Sequence, residues 1–149
     1  MRKCNVRVDD PHFHEIHHAL GCPWPDEIMG DTYRNYFATD SNSGSADRMR
    51  ASPHWSGGKE KFGMVYFHVT EEGRQALVEH MRTNVEVPAR YALTYRDFEG
   101  TSIVAAQSRS AAKYAAYLYA ESDWPFIEFA AGIKSVRLHA PGHVPAQFN

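Results

Sequence analysis

Around Val85-Glu86-Val87-Pro88 the chain changes character. Proline cannot continue a helix and pushes the residue before it toward extended backbone, so this run reads as a connector. Before it, stretches of helical and strand-like period alternate with frequent breakers. After it, the residues read as a simple β-β-α-α-β series. The expected class is therefore α+β: a mixed half over 1–84 packed with a β-β-α-α-β half over 89–140, as one compact unit. A length of 149 residues suits that size, and 43% hydrophobic with 13% aromatic residues is enough to build a core without a disulfide framework.

In the first half, Asp10-Pro11 has the form of a helix cap followed by proline at the first helical position, and Gly21 stands where a helix stops. Phe13, Ile16, His17 and Leu20 fall on one face of that helix. Tyr33 to Phe37 leans toward strand by composition, Asp40 to Ser45 toward a loop, and a short helix fits over 45–51. Ser52-Pro53 and Gly57-Gly58 punctuate the chain again. Met64 to Val69 alternates as a strand with Val65, Phe67 and Val69 inward. Thr70 then caps a helix whose first turn carries Glu71 and Glu72 and whose last turn carries Arg82, which suits the macrodipole at both ends.

In the second half, Tyr91, Leu93 and Tyr95 alternate, Asp97 to Gly100 makes a turn, and Ile103 to Ala106 returns as a hairpin strand. Ser108 caps a helix with an expected apolar face of Ala111, Tyr114, Ala115, Leu118 and Tyr119. Pro125 opens a second short helix, Gly132 ends it, and Ile133 to Leu138 forms the last strand. One buried side along Tyr91 to Tyr95 predicts a single sheet over 89–139 with its helices on one face.

A net charge of −2 gives no global attraction to phosphate, so nucleic-acid binding would need a local patch. No apolar run reaches the ~18–20 residues that span a bilayer, so no membrane role is expected. Two cysteines and the absence of a secretory leader make the cytoplasm the expected compartment. No nucleophile elbow, phosphate-binding loop or dinucleotide fingerprint is present, which leans away from an enzyme, and no cofactor is implied.

Two constellations carry chemistry. His12, His14, His17 and His18 crowd the first helix, and His14 and His18, four apart, could act with Cys4 and Cys22 as zinc ligands. His14-Glu15-x-x-His18 also fits the short metalloprotease template, with Glu15 as base, though no third ligand follows at a diagnostic spacing. The second constellation is basic. Arg48, Arg50, Lys59 and Lys61 stand against Glu60 alone between 48 and 61, a local excess that could meet phosphates.

The order of elements, with Tyr66-Phe67-His68-Val69-Thr70-Glu71-Glu72-Gly73-Arg74 as a strand running into a Thr-x-x-Gly helix start, resembles a winged helix-turn-helix. The segments His17-His18-Ala19-Leu20-Gly21, Tyr33-Arg34-Asn35-Tyr36-Phe37 and Val69 to Arg74 also resemble small uncharacterised proteins of bacteriophages and prophages, over about residues 14 to 80. The resemblance implies a winged-helix-like N-terminal half and a phage or prophage accessory protein in the host cytoplasm. The segment 46–52 that would enter a DNA groove is short and stops at Pro53. The expected partner is therefore a host or phage protein, met through aromatic anchors such as Trp55, Tyr117 or Trp124, with duplex DNA as the alternative and zinc as the third reading.

Overall fold

A computed structural model describes residues 6–145 of the chain. They divide into two compact units, 6–85 with Pro145, and Glu86–Val144. The protein is α+β, with helices and two separate three-stranded antiparallel sheets.

The first unit opens with α1 (Pro11–Ala19), where the Asp10 carboxylate accepts from the backbone N–H groups of His12 and Phe13, and Gly21, at φ +84°, follows its end. Ile16, His17 and Leu20 are buried as the period requires. A 3₁₀ turn at Pro25–Glu27 leads to β1 (Phe37–Asp40), then α2 (Gly44–Ala51), capped by Ser43. β2 (Trp55–Lys61) and β3 (Met64–Val69) form a hairpin, and α3 (Glu71–Asn84) closes the unit. The sheet order is β1-β3-β2, with Phe37 opposite Phe67 and Trp55 opposite Val69. Val65, Phe67 and Val69 fill its buried face.

Three expectations need correction here. The strand expected over 33–37 begins only at Phe37 and runs through Asp40, where a loop was expected. The reason lies in Asn35, whose side chain does the work of a ladder residue: its Nδ2 donates to Val69 O at 3.0 Å and its Oδ1 accepts from Val69 N at 2.7 Å. Gly57 and Gly58 do not break the chain but lie inside β2, both at positive φ, where the register shifts between Gly57 and Lys59. A glycine bulge satisfies the same residues that read as punctuation. Trp55, expected as a partner anchor, is only 6% exposed and meets Phe37 edge-on at 5.9 Å, so it belongs to the core.

The second unit is β4 (Arg90–Tyr95), β5 (Thr101–Ala105), α4 (Arg109–Ala120), α5 (Phe126–Ala131) and β6 (Ile133–Ala140), in the sheet order β5-β4-β6. Its core is Tyr91, Leu93, Val104, Ala112, Ala116 and Ile133, with Phe129 of α5 packed against it. Both helices thus cover one face of one sheet, as the alternation along β4 predicts. The buried stripe of α4 differs from expectation: Ala112 and Ala116 face the sheet, while Tyr114, Leu118 and Tyr119 are exposed. Alanine lets the helix axis come close to the strands, so the small residues win the inner face and the large ones turn outward. Among the described residues, no helix is long and apolar enough to cross a membrane.

The start of α3 is the tightest point of the first unit. A Cβ on Gly73 would lie 2.5 Å from His54 O and 2.9 Å from a Val69 methyl. The Gly73→Ala protein should therefore lose about 1–3 kcal/mol in a urea melt, as an overpacked core does. Gly30→Ala, where the nearest atom lies 3.7 Å away and the residue is exposed, should stay within about 0.5 kcal/mol of wild type.

Candidate functional site

The histidines of α1 separate into different environments. His17 is buried, and its Nε2 lies 2.9 Å from Pro23 O; a carbonyl only accepts, so that nitrogen carries the proton. His12 Nε2 and His54 Nδ1 share a hydrogen bond of 2.8 Å, and Phe13 stacks on His80 at 4.1 Å beside them. His14 and His18 are stacked neighbours at 6.4 Å, as four-residue spacing requires. At His18 the ring nitrogen is engaged otherwise than a metal would need. His14 Nδ1 lies 3.2 Å from Val8 O, and Arg34 donates to His18 Nε2 at 3.0 Å and to His18 O at 2.8 Å. A guanidinium on the very nitrogen a cation would use opposes metal there. Glu15, the base of the metalloprotease template, forms an ion pair with Arg48 at 2.5 Å. Cys22 is a half-buried free thiol, Cys4 lies outside the described residues, and among the described residues no three ligand side chains come together.

The four basic residues do not make one surface. Arg48 and Arg50, two apart on α2, point about 200° away from each other around the helix. Arg48 reaches Glu15 and Ser45, whereas Arg50 reaches Asp47 and Ser41 O. Lys59 and Lys61 are exposed on β2, with Lys61 Nζ 5.8 Å from the Phe62 ring.

The least satisfied surface is in the second unit. Between α4 and α5, Tyr117 donates its hydroxyl to Trp124 O at 2.8 Å, and its ring lies 5.5 Å from Phe126 and 5.4 Å from Phe129. Tyr114 meets Phe126 edge-on at 5.4 Å. In the same helices and the link between them, Ile127 is 82%, Trp124 61% and Leu118 57% exposed. Of the expected anchors, Trp124 is exposed, whereas Tyr117 is half-buried and bonded to the Trp124 carbonyl. Leu118 and Ile127 escaped the sequence reading because apolar residues at helical spacing are usually core. Glu121, Asp123 and Glu128 stand exposed in the same stretch of chain.

A second feature was also missed: Arg109 and Lys113, four apart at the start of α4, line an open depression with Lys134 of β6. The spacing is visible in the sequence, but the third cation comes from a distant strand. No family model, curated protein or solved structure matches the chain.

Burial lowers the pKa of both His12 and His17, with the neighbouring His54 adding to the effect at His12 and His14 and His18 adding to it at His17. A histidine whose folded pKa lies below its unfolded value contributes stability that is complete above about pH 6.5 and is lost as pH falls through the folded pKa. The urea midpoint should hold between pH 8 and 7 and fall steadily from about pH 6.5 downward. The His17→Gln protein, measured over the same range, should show a shallower fall, and an unchanged slope would assign the dependence to other groups.

Proposed function

We propose that the chain is a non-enzymatic accessory protein of a bacteriophage or prophage, acting in the cytoplasm of the bacterial host as a protein-interaction module. The observation that carries this reading is the exposed apolar surface of α4 and α5. Trp124, Ile127 and Leu118 are large apolar side chains exposed on these two helices and the link between them, whose facing sides meet through the contacts of Tyr117 with Phe126 and Phe129. Rigid aromatic and branched side chains in one patch are the usual anchors of a protein interface, and a charged rim adds selectivity. Here the rim carries Glu121, Asp123 and Glu128, so the fitting partner presents an apolar centre flanked by lysine or arginine.

The alternative, duplex DNA, draws support from the β2–β3 hairpin with Lys59 and Lys61 and from the winged-helix-like order β1-β3-β2. Against it, α2, with eight residues, is the one helix between β1 and β2 among the described residues, where a helix-turn-helix uses two. Its arginines are also already committed to Glu15 and Asp47.

The test is capture of partners from the host with the full chain as bait, comparing wild type with Leu118→Asp/Ile127→Asp. Because both positions are exposed, the melting temperature should hold while a host or phage protein retained by wild type is lost by the variant. A protein retained equally by the variant, or duplex DNA retained until Arg48, Arg50, Lys59 and Lys61 are replaced, would defeat the reading.

A further inference from the structure

The depression in the second unit is lined by three cations and no carboxylate. It has a volume of about 300 Å³ and lies between the first turns of α4 and the edge strand β6. Arg109, Ser110 and Lys113 line it from the helix, and Ile133, Lys134, Ser135 and Val136 line it from the strand. No carboxylate lines it. Among the described residues none of the three cations forms an ion pair, although Arg48, Arg50 and Arg82 each hold a carboxylate.

The local electrostatics are uncompensated in a second way. The start of a helix carries partial positive charge, and acidic residues normally stand there, as Glu71 and Glu72 do on α3. The first turn of α4 has no acid and begins with Arg109. Positive side chains therefore add to the backbone field rather than cancel it, and no carboxylate is among the lining residues. Arg109 is also partly fixed, with its guanidinium 6.0 Å from the Tyr91 ring, and Ser135 Oγ shares a hydrogen bond with Thr94 Oγ1. A charged group held by packing loses less freedom when it binds.

We propose that this depression binds a phosphate group, carried by a small phosphorylated molecule or by a nucleic-acid strand. Three cations with the Ser110 hydroxyl suit a phosphate, whose charge near −1.5 to −2 as a monoester and three or more acceptor oxygens exceed what a single carboxylate offers. The volume exceeds that of phosphate itself and leaves room for the group that carries it. The proposal is independent of the protein partner on α4 and α5, since neither Leu118 nor Ile127 lines the depression.

The experiment uses the full chain, labelled with ¹⁵N and titrated at constant ionic strength with inorganic phosphate and, separately, with a short single-stranded oligothymidylate. Saturable shifts are expected at the amides of Ser110, Lys134 and Ser135. Lys113→Gln/Lys134→Gln should weaken binding by about tenfold or more, as lost charge-assisted bonds do, with Arg109→Gln as a second variant acting in the same direction. Lys59→Gln/Lys61→Gln should leave it unchanged. Tighter binding of inorganic phosphate assigns a small phosphorylated ligand. Tighter binding of the oligonucleotide, weakening with salt at a logarithmic slope of about −2, assigns a strand. Saturation by neither probe, or equal losses in the two lysine pairs, would overturn the site.

Discussion

The first unit depends on how closely the start of α3 approaches the loop before β2. Thr70 N donates to His54 O at 2.9 Å, Thr70 Oγ1 donates to Pro53 O at 2.7 Å, and the same oxygen accepts from Gly73 N at 3.1 Å. Only a residue without Cβ leaves room for the His54 carbonyl against the first turn of the helix. One turn later, Arg74 gathers the chain on the other side, donating to Ile28 O and Gly30 O and to Thr32 Oγ1. Thr70-x-x-Gly73-Arg74 is thus a packing device. It joins strand, helix and two loops without reference to any ligand, so its presence in the sequence speaks for a fold rather than for DNA.

That distinction explains how much of the protein could be read in advance. Elements specified by local chemistry were legible: the caps at Asp10, Thr70 and Ser108, the alternation along β3 and β4, and the glycine that ends α5 at Gly132. What failed depended on partners distant in sequence. Asn35 satisfies Val69 across 34 positions, so the segment before Phe37 has strand composition without strand geometry. Gly57 and Gly58 form part of a strand only because β3 lies opposite them. The surface divided in the same way: Trp124 is exposed, whereas Trp55 went to the core and Lys134 joined Arg109 and Lys113 only through the strand order.

The two units use their charged residues differently. In the first, Glu15, Asp47 and Glu79 pair with Arg48, Arg50 and Arg82. Exposed pairs of this kind add little stability, but they occupy groups that a ligand would otherwise need. In the second unit the arginine and lysines of the depression stand apart from Glu121, Asp123 and Glu128 near α5. Separated charge of opposite sign on one small unit gives each region its own field and its own preference for ligands.

Helix α4 is where these preferences meet, and its sequence shows why. Its alanines are doubled at 111–112 and 115–116, so periodicity alone permits two inner faces. Choosing Ala112 and Ala116 as the face toward β4 fixes the rest by rotation. Tyr117 then reaches α5, Tyr114 and Leu118 turn outward, and Arg109 and Lys113, four apart, lie on a common side toward β6. The opposite choice, with Ala111 and Ala115 inward, would draw Leu118 toward the sheet and reduce the exposed apolar surface. The buried stripe carries no chemistry itself, yet it decides which side chains remain available to a partner.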